Sequence, residues 1–192
     1  MPTFHEEWYH PEQIKELSKL AFDSKYPNHD FKVYKNLEIG CWEGRSTIAI
    51  ANSVFPEELI CVDTWKGNID EGEPLSQKMA QERDVFGQFL DNMIECTKGN
   101  FTPFKTDCHS YIKETTNIFK FVHIDACHDY ESVKKTIVSL LPKIVIGGIL
   151  CGDDYLTAND QREDLYGGVM RAVKELLPNH YNIGNLWIWK KE

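Results

Sequence analysis

Residues 35–49 combine an apolar strand, a glycine-rich turn and the start of a helix in one uninterrupted run. Gly40 and Gly44 have no Cβ, so the backbone around them can turn tightly and approach a ligand closely. Ser46 or Thr47 is then expected to cap the helix that follows the turn. This strand, turn and helix predict an α/β fold in which the turn binds a small molecule.

The spacing of the turn indicates which ligand it binds. A dinucleotide-binding turn has the pattern G-x-G-x-x-G and a phosphate-binding loop has G-x-x-x-x-G-K-[ST], whereas this chain has E-x-G-x-x-x-G. Glu38 would repel a pyrophosphate, but it suits a ligand with a cationic amino group. S-adenosylmethionine carries both an ammonium and a sulfonium, and we predict it as the ligand. The residues of this run that are assigned to it are Glu38, Gly40, Cys41, Gly44 and Ser46.

Apolar runs alternate with helical patterns along the rest of the chain, which is typical of a mostly parallel sheet with helices on both faces. We expect one domain over residues 1–192, with a helical N-terminal segment at 1–30 and the core at 31–192. Residues 67–74 form a polar loop, which is either a lid over a cleft or a solvated connection. Predicted strands cover residues 33–39, 58–62, 101–105, 119–124 and 149–151, followed by a closing hairpin at 181–189. Predicted helices cover residues 11–22, 76–96, 109–115 and 130–141, with others starting near 46 and around 169–177.

The charge of the chain limits its partners. A formal net charge of -9 argues against nucleic-acid and anionic-membrane binding, because both need clustered basic residues. The N-terminal residues lack the basic start and apolar core of a signal peptide, and no apolar run reaches the length of a membrane span. We therefore expect a cytoplasmic protein. The six cysteines include no C-x-x-C pair and are expected to be reduced thiols.

Acidic residues stand at the ends of the predicted strands, where ligands bind in an open parallel sheet. Asp63 follows the glycine turn by about one βα unit, a position from which a carboxylate can accept both hydroxyls of a ribose. Asp107, beside Cys108, either binds the adenine amino group or caps the next helix. Both alternatives fit the pattern, and Asp107 and Cys108 are retained as candidate cosubstrate-binding residues.

Three further carboxylates form a candidate metal site. If the strands that end at Asp125 and at Asp153 and Asp154 are neighbours, their carboxylates converge and cannot all stay ionised without a compensating cation. Oxygen ligands favour Mg²⁺ or Mn²⁺. The alternative is that Asp153 or Asp154 caps a turn and points away from the others.

Histidines follow the same strand ends. His128, three residues after Asp125, is a candidate general base for an acceptor hydroxyl, because histidine titrates near neutral pH. A structural hydrogen-bond donor is the alternative role. A zinc site built from Cys108, His109, Cys127 and His128 is disfavoured, because no C-x-x-C or C-x-x-H ligand pair is present.

The glycine turn resembles the first motif of class I S-adenosylmethionine-dependent methyltransferases. Three further motifs, V-D-T-W-K-G at 62–67, H-I-D-x-x-H-x-Y-E at 123–131 and G-G-x-x-x-x-D-D-Y at 147–155, resemble those of the metal-dependent sugar O-methyltransferases related to macrocin O-methyltransferase. This resemblance covers residues 37–177 or so. It implies a Rossmann-like fold with a mostly parallel seven-stranded sheet and a C-terminal antiparallel hairpin. It also implies that Asp125, Asp153 and Asp154 are the metal ligands, and that the metal holds two adjacent oxygens of the acceptor.

The first of these motifs adds Thr64 and Trp65 to the candidate cosubstrate-binding residues. Trp65, like Trp42 and Tyr155, either stacks on adenine or a sugar ring or serves only in packing.

Together these features predict a Mg²⁺-dependent O-methyltransferase that acts on a hydroxyl of a sugar or similar small molecule, with Asp125 and His128 as catalytic residues. A module that binds S-adenosylmethionine without turnover is the alternative, and an NAD-dependent oxidoreductase is disfavoured because G-x-G-x-x-G is absent. A homodimer that closes the pocket is compatible with the sequence, although no motif indicates an interface.

Overall fold

The apolar runs of the sequence pair side by side at the centre of the fold. In the computed structural model, which describes residues 1–6, 8–24, 34–68, 74–155 and 163–192, they form a seven-stranded sheet of order β3-β2-β1-β4-β5-β7-β6. The first five strands are parallel, and β6 and β7 are antiparallel. This confirms the predicted sheet and its C-terminal hairpin. The strands are β1 (Tyr34–Ile39), β2 (Leu59–Asp63), β3 (Phe101–Lys105), β4 (Ile118–Ile124), β5 (Ile144–Gly152), β6 (Tyr181–Ile183) and β7 (Leu186–Lys190).

Helices cover both faces of the sheet, as predicted, because side chains alternate between the faces along each strand. Leu59 and Cys61 of β2 pack into one apolar cluster with α1, α2 and α4, whereas Ile60 and Val62 pack into a second cluster with α5, α6 and α7. No helix in the described ranges is long and apolar enough to cross a membrane. The helices are α1 (Pro11–Asp23), α2 (Arg45–Val54), α3 (Pro74–Glu82), α4 (Val85–Cys96), α5 (Cys108–Glu114), α6 (Tyr130–Leu140) and α7 (Glu163–Leu176), with a 3₁₀ turn at Leu141–Lys143.

Two predicted elements differ from the structure. The single helix expected over 76–96 is two helices, because Asp84 accepts a hydrogen bond from the Gly87 backbone N–H (2.9 Å) and caps the start of α4. Strand β5 begins at Ile144 instead of residue 149. Its first part is separated from the predicted strand by Gly147 and Gly148, a residue type that is depleted in strands. The register between β4 and β5 shifts between Phe119 and Phe121.

The expected cap of α2 is also wrong. The N-cap is Gly44, in a left-handed conformation (φ 88°) with no side-chain cap bond, and Ser46 and Thr47 are buried inside the first turn of the helix. Of the polar loop predicted at 67–74, residues 69–73 lie outside the described residues. The N-terminal segment predicted at 1–30 contains α1, and its last residues also lie outside the described residues.

The turn after β1 packs directly on the end of β4. Gly40 has a positive φ of 84°, and a Cβ added there would lie 1.7 Å from the Asp125 carbonyl oxygen. The Asp125 N–H donates to the Ile39 carbonyl (2.8 Å), and the Gly40 N–H donates to the Val62 carbonyl (2.9 Å). These contacts fix the ends of β1, β2 and β4 against one another, and they leave room only for glycine at position 40.

We therefore expect Gly40→Ala to lower the free energy of unfolding by at least about 4 kcal/mol, since the methyl group would collide with backbone. Gly99→Ala is the matched control, because Gly99 also has a positive φ (76°) but no atom within 4 Å of the added Cβ. Its cost should be only the backbone strain of about 1–2 kcal/mol. Urea denaturation monitored by tryptophan fluorescence measures both, and equal losses would contradict the packing described.

Candidate active site

A cavity of ≈ 580 Å³ opens at the carboxyl ends of the parallel strands, a size typical of small-molecule sites. The glycine turn and Asp63 form one wall, and the loops after β4 and β5 form the second. Residues 1–6 and 8–13 form the third wall, and from here on the name N-terminal segment refers to these residues. Of the predicted site residues, the cavity is lined by Gly40, Cys41, Ser46, Asp63, Asp125, His128, Asp153 and Asp154.

Asp63 holds the glycine turn in place. One carboxylate oxygen, Oδ2, accepts hydrogen bonds from the backbone N–H groups of Cys41 (2.7 Å) and Trp42 (2.9 Å). The other, Oδ1, accepts from the Trp65 N–H (2.6 Å). Burial raises the pKa of Asp63, and these three donors partly offset that rise. The carboxylate thus fixes the turn and also faces the cavity, where a ribose is expected.

Glu38 lies beneath the cavity and not on its wall. It is fully buried, and its Oε1 lies 3.1 Å from Nδ1 of His123. Burial lowers the pKa of His123, but the Glu38 carboxylate outweighs this effect and the pKa is raised overall. Because Glu38 is buried and paired with His123, it does not contact a ligand in the cavity directly, although the sequence pattern suggests that it would.

The other predicted cosubstrate residues lie outside the cavity wall. Trp65 packs against Phe86 and Phe89, with ring centroids 4.5 Å and 4.9 Å away, and its indole N–H donates to the Trp42 carbonyl (2.8 Å). It therefore serves in packing, which is the second of its two predicted roles. Three of the remaining residues make local contacts: Gly44 caps α2, Thr64 accepts from the Lys66 N–H (3.2 Å), and Asp107 caps α5 through the Ser110 N–H (2.9 Å). Cys108 contacts Thr136 of α6 (3.9 Å).

Asp125 follows β4, and Asp153 and Asp154 follow β5. These three residues, which we call the acidic cluster, lie at the same edge of the sheet because the two strands are neighbours. Ligand atoms of Asp125, His128 and Asp154 all lie within 4.8 Å of one another. Nε2 of His128 lies 2.9 Å from Oδ2 of Asp154. Asp153, the third predicted metal ligand, does not belong to this group, in which His128 takes its place, but it lines the same cavity. Within the described residues no cysteine belongs to such a group, so the structure gives no support to the zinc alternative.

The carboxylates of this cluster destabilise one another's charge. Burial, followed by the charge of Asp154, raises the pKa of Asp125 to about 6. Burial, followed by the charges of Asp125 and Asp154, raises the pKa of Asp153 to about 7. A divalent cation would relieve this repulsion, and the oxygen-rich donor set suits Mg²⁺ or Mn²⁺. The residues present therefore fit a divalent metal.

The N-terminal segment contributes site residues that the sequence did not indicate. The Tyr9 hydroxyl donates to Oδ2 of Asp125 (2.6 Å), and Nε2 of Gln13 donates to Oδ1 of Asp153 (3.1 Å). Burial and the charge of Asp125 raise the pKa of Tyr9 well above its usual range, so the hydroxyl keeps its proton. Tyr9 and Asp125 are 116 positions apart in the sequence, and Gln13 and Asp153 are 140 positions apart. No local pattern predicts these contacts.

The comparison with known families decides the assignment. A family model described as "Methyltransferase domain" matches residues 37–155, which contain the glycine turn and the acidic cluster. The chain belongs to this methyltransferase family. No curated protein matches this chain.

Solved structures share the fold of the methyltransferase. The O-methyltransferase NovP is 18% identical with a TM-score of 0.62, and the match covers 94% of this chain and 78% of NovP. TomG from Streptomyces achromogenes, an O-methyltransferase in complex with SAM, is 16% identical with a TM-score of 0.64, covering 96% and 82%. CalS11, a TDP-rhamnose 3'-O-methyltransferase, is 14% identical with a TM-score of 0.56, covering 93% and 77%. These similarities confirm the predicted Rossmann-like class I methyltransferase fold.

The role of Asp63 predicts a specific loss of stability. In Asp63→Asn an amide N–H₂ replaces one of the two accepting oxygens and faces backbone donors, so we expect a loss of about 2 kcal/mol. Asp107→Asn is the matched control, because asparagine also caps helices and should cost almost nothing. Urea denaturation of both variants checks this, and a similar cost for the two would show that Asp63 does not hold the turn.

The acidic cluster predicts how stability depends on pH. Because the pKa values of Asp125 and Asp153 are raised to about 6 and about 7, the folded chain binds more protons than the unfolded one. Stability in the presence of a chelator should therefore fall as the pH rises from about 4 to 8. Asp153→Asn should reduce this fall by an amount on the order of 2 kcal/mol.

Asp91, exposed on α4, provides the control for this measurement. Asp91→Asn should show the same pH profile as the unmodified chain in urea denaturation between pH 4 and 8. An unchanged profile in Asp153→Asn would contradict the electrostatics described.

Proposed function

We propose that this chain is an S-adenosylmethionine-dependent O-methyltransferase that acts on a hydroxyl of a sugar or similar small molecule. The observation that carries the proposal is a single cavity that both the glycine turn and the acidic cluster line. The turn is fixed by Asp63, and the cluster consists of Asp125, Asp153 and Asp154. A methyl donor and its acceptor need to meet in such a space. TomG, which is in complex with SAM, and CalS11, a TDP-rhamnose 3'-O-methyltransferase, support the same assignment.

On the donor side, the turn provides polar groups close to the ligand. Asp63 faces the cavity with lone pairs beyond its backbone bonds, and we assign them to the ribose hydroxyls. Ser46, buried at the start of α2 and lining the cavity, is assigned to the methionine end. The carboxylates on the rim attract the cationic donor.

On the acceptor side, Asp125, Asp153 and Asp154 would hold Mg²⁺ or Mn²⁺. A bound divalent ion would polarise the acceptor oxygen and stabilise negative charge on it. Without the ion, burial and the neighbouring carboxylates oppose the ionisation of Asp125 and Asp153, as the raised pKa values of these two residues indicate.

His128 and Asp154 are arranged for proton transfer. Nε2 of His128 lies 2.9 Å from Oδ2 of Asp154, and Nδ1 lies 3.4 Å from the side-chain nitrogen of Asn68. With the hydrogen on Nε2 and donated to Asp154, the lone pair of Nδ1 accepts from the Asn68 amide until an acceptor hydroxyl replaces that contact. In the reaction, a bond forms between the acceptor oxygen and the methyl carbon while the carbon–sulfur bond breaks. His128 takes the hydroxyl proton, and Asp154 stabilises the imidazolium. The products are a methyl ether and S-adenosylhomocysteine.

Calorimetry with S-adenosylhomocysteine tests this assignment. We expect micromolar affinity, and the same affinity within about threefold for Asp125→Asn, because Asp125 belongs to the acceptor side. With an acceptor found by screening sugars and catechols, Asp125→Asn should lower turnover at least about 100-fold. Absence of binding to the unmodified chain would contradict the donor assignment, and normal turnover of Asp125→Asn would contradict the metal assignment.

A further inference from the structure

The N-terminal segment reaches the acidic cluster from outside the region that the family model matches, which begins at residue 37. It supplies two donors, the Tyr9 hydroxyl and the Gln13 amide, each to a different carboxylate of the cluster. We propose that Tyr9 and Gln13 are positioning residues that orient Asp125 and Asp153 for the divalent cation. This inference rests on the metal site of the proposed function.

The geometry at Tyr9 is suited to orienting Asp125. The ring is 8% exposed and is tilted against His123, with centroids 6.4 Å apart, so the hydroxyl has a fixed direction. It donates to Oδ2 of Asp125 at 2.6 Å. The Asp125 backbone is itself fixed by the bond to the Ile39 carbonyl. Backbone and carboxylate are thus both held, and a carboxylate that accepts one bond keeps further lone pairs for a cation.

Gln13 is oriented by the start of α1. Its Oε1 accepts from the His10 N–H (3.0 Å), which is one half of a capping box. Because the amide oxygen is occupied in this way, the N–H₂ end points away from the helix cap and donates to Oδ1 of Asp153 at 3.1 Å. The helix cap therefore sets the direction of the donor.

The N-terminal segment is also attached to the glycine turn and to Arg83. Both carboxylate oxygens of Glu6 accept from Nη2 of Arg83 (2.8 and 2.6 Å), and Nε1 of Trp42 donates to Glu6 (3.1 Å). His5 binds Glu43 through its backbone N–H (2.8 Å). Tyr9 is therefore held between this attachment and α1. Hydrogen bonds of this kind to metal ligands typically change metal affinity by 10–100-fold.

Calorimetric titration of Mn²⁺ into the full chain, without donor or acceptor, tests the proposal. Tyr9→Phe keeps the ring and removes only the hydroxyl, and we expect Mn²⁺ affinity to fall about 10-fold or more. Gln13→Met, which removes the amide at similar length, should weaken Mn²⁺ binding independently. Tyr111→Phe is the matched control, because Tyr111 is also buried but lies on α5, with Asn117 as the partner of its hydroxyl (3.5 Å).

The outcomes separate this proposal from the proposed function. Unchanged or tighter Mn²⁺ binding by both Tyr9→Phe and Gln13→Met would overturn the positioning role while leaving the metal site intact. Absence of Mn²⁺ binding by the unmodified chain would overturn both. A urea midpoint measured with a chelator monitors the fold. A loss of Mn²⁺ affinity without a matching loss of stability supports the positioning role, and a loss that Tyr111→Phe reproduces would overturn it.

Discussion

The close approach of Gly40 to the Asp125 carbonyl is the contact on which the site depends. It joins the end of β1 to the end of β4, and so brings the glycine turn and the acidic cluster to a single cavity. Asp63 holds the turn from the other side through the Cys41 and Trp42 amides. In the proposed function, this backbone packing would align donor and acceptor, which is the kind of rigid positioning that a bimolecular transfer needs.

The acidic cluster shows a conflict between stability and function. Burial and the neighbouring carboxylates raise the pKa values of Asp125 and Asp153, and a fold selected only for stability would avoid such a cluster. The neighbouring groups reduce the cost: Tyr9 and Gln13 donate hydrogen bonds, His128 pairs with Asp154, and the Glu38–His123 pair lies below. Violations of ordinary packing rules concentrate at functional sites, and this cluster is such a case.

Much of the site could be predicted from the sequence, because strand ends carry it. Once β1, β2, β4 and β5 were recognised as parallel, their terminal acids had to lie at one edge of the sheet. The direction in which a side chain points could not be predicted in the same way. Trp65 stands just after a strand end, yet its ring packs into the core. The contribution of Tyr9 could not be predicted, because its partner is 116 positions away and no local period connects the two.

The most direct test of the central claim is a crystal structure of the chain with S-adenosylhomocysteine and Mn²⁺, with the metal located by its anomalous scattering. We expect the nucleoside to lie against the glycine turn and Asp63, with the metal peak among Asp125, Asp153 and Asp154 in the same cavity. A nucleoside bound elsewhere, or a metal peak away from these carboxylates, would contradict it.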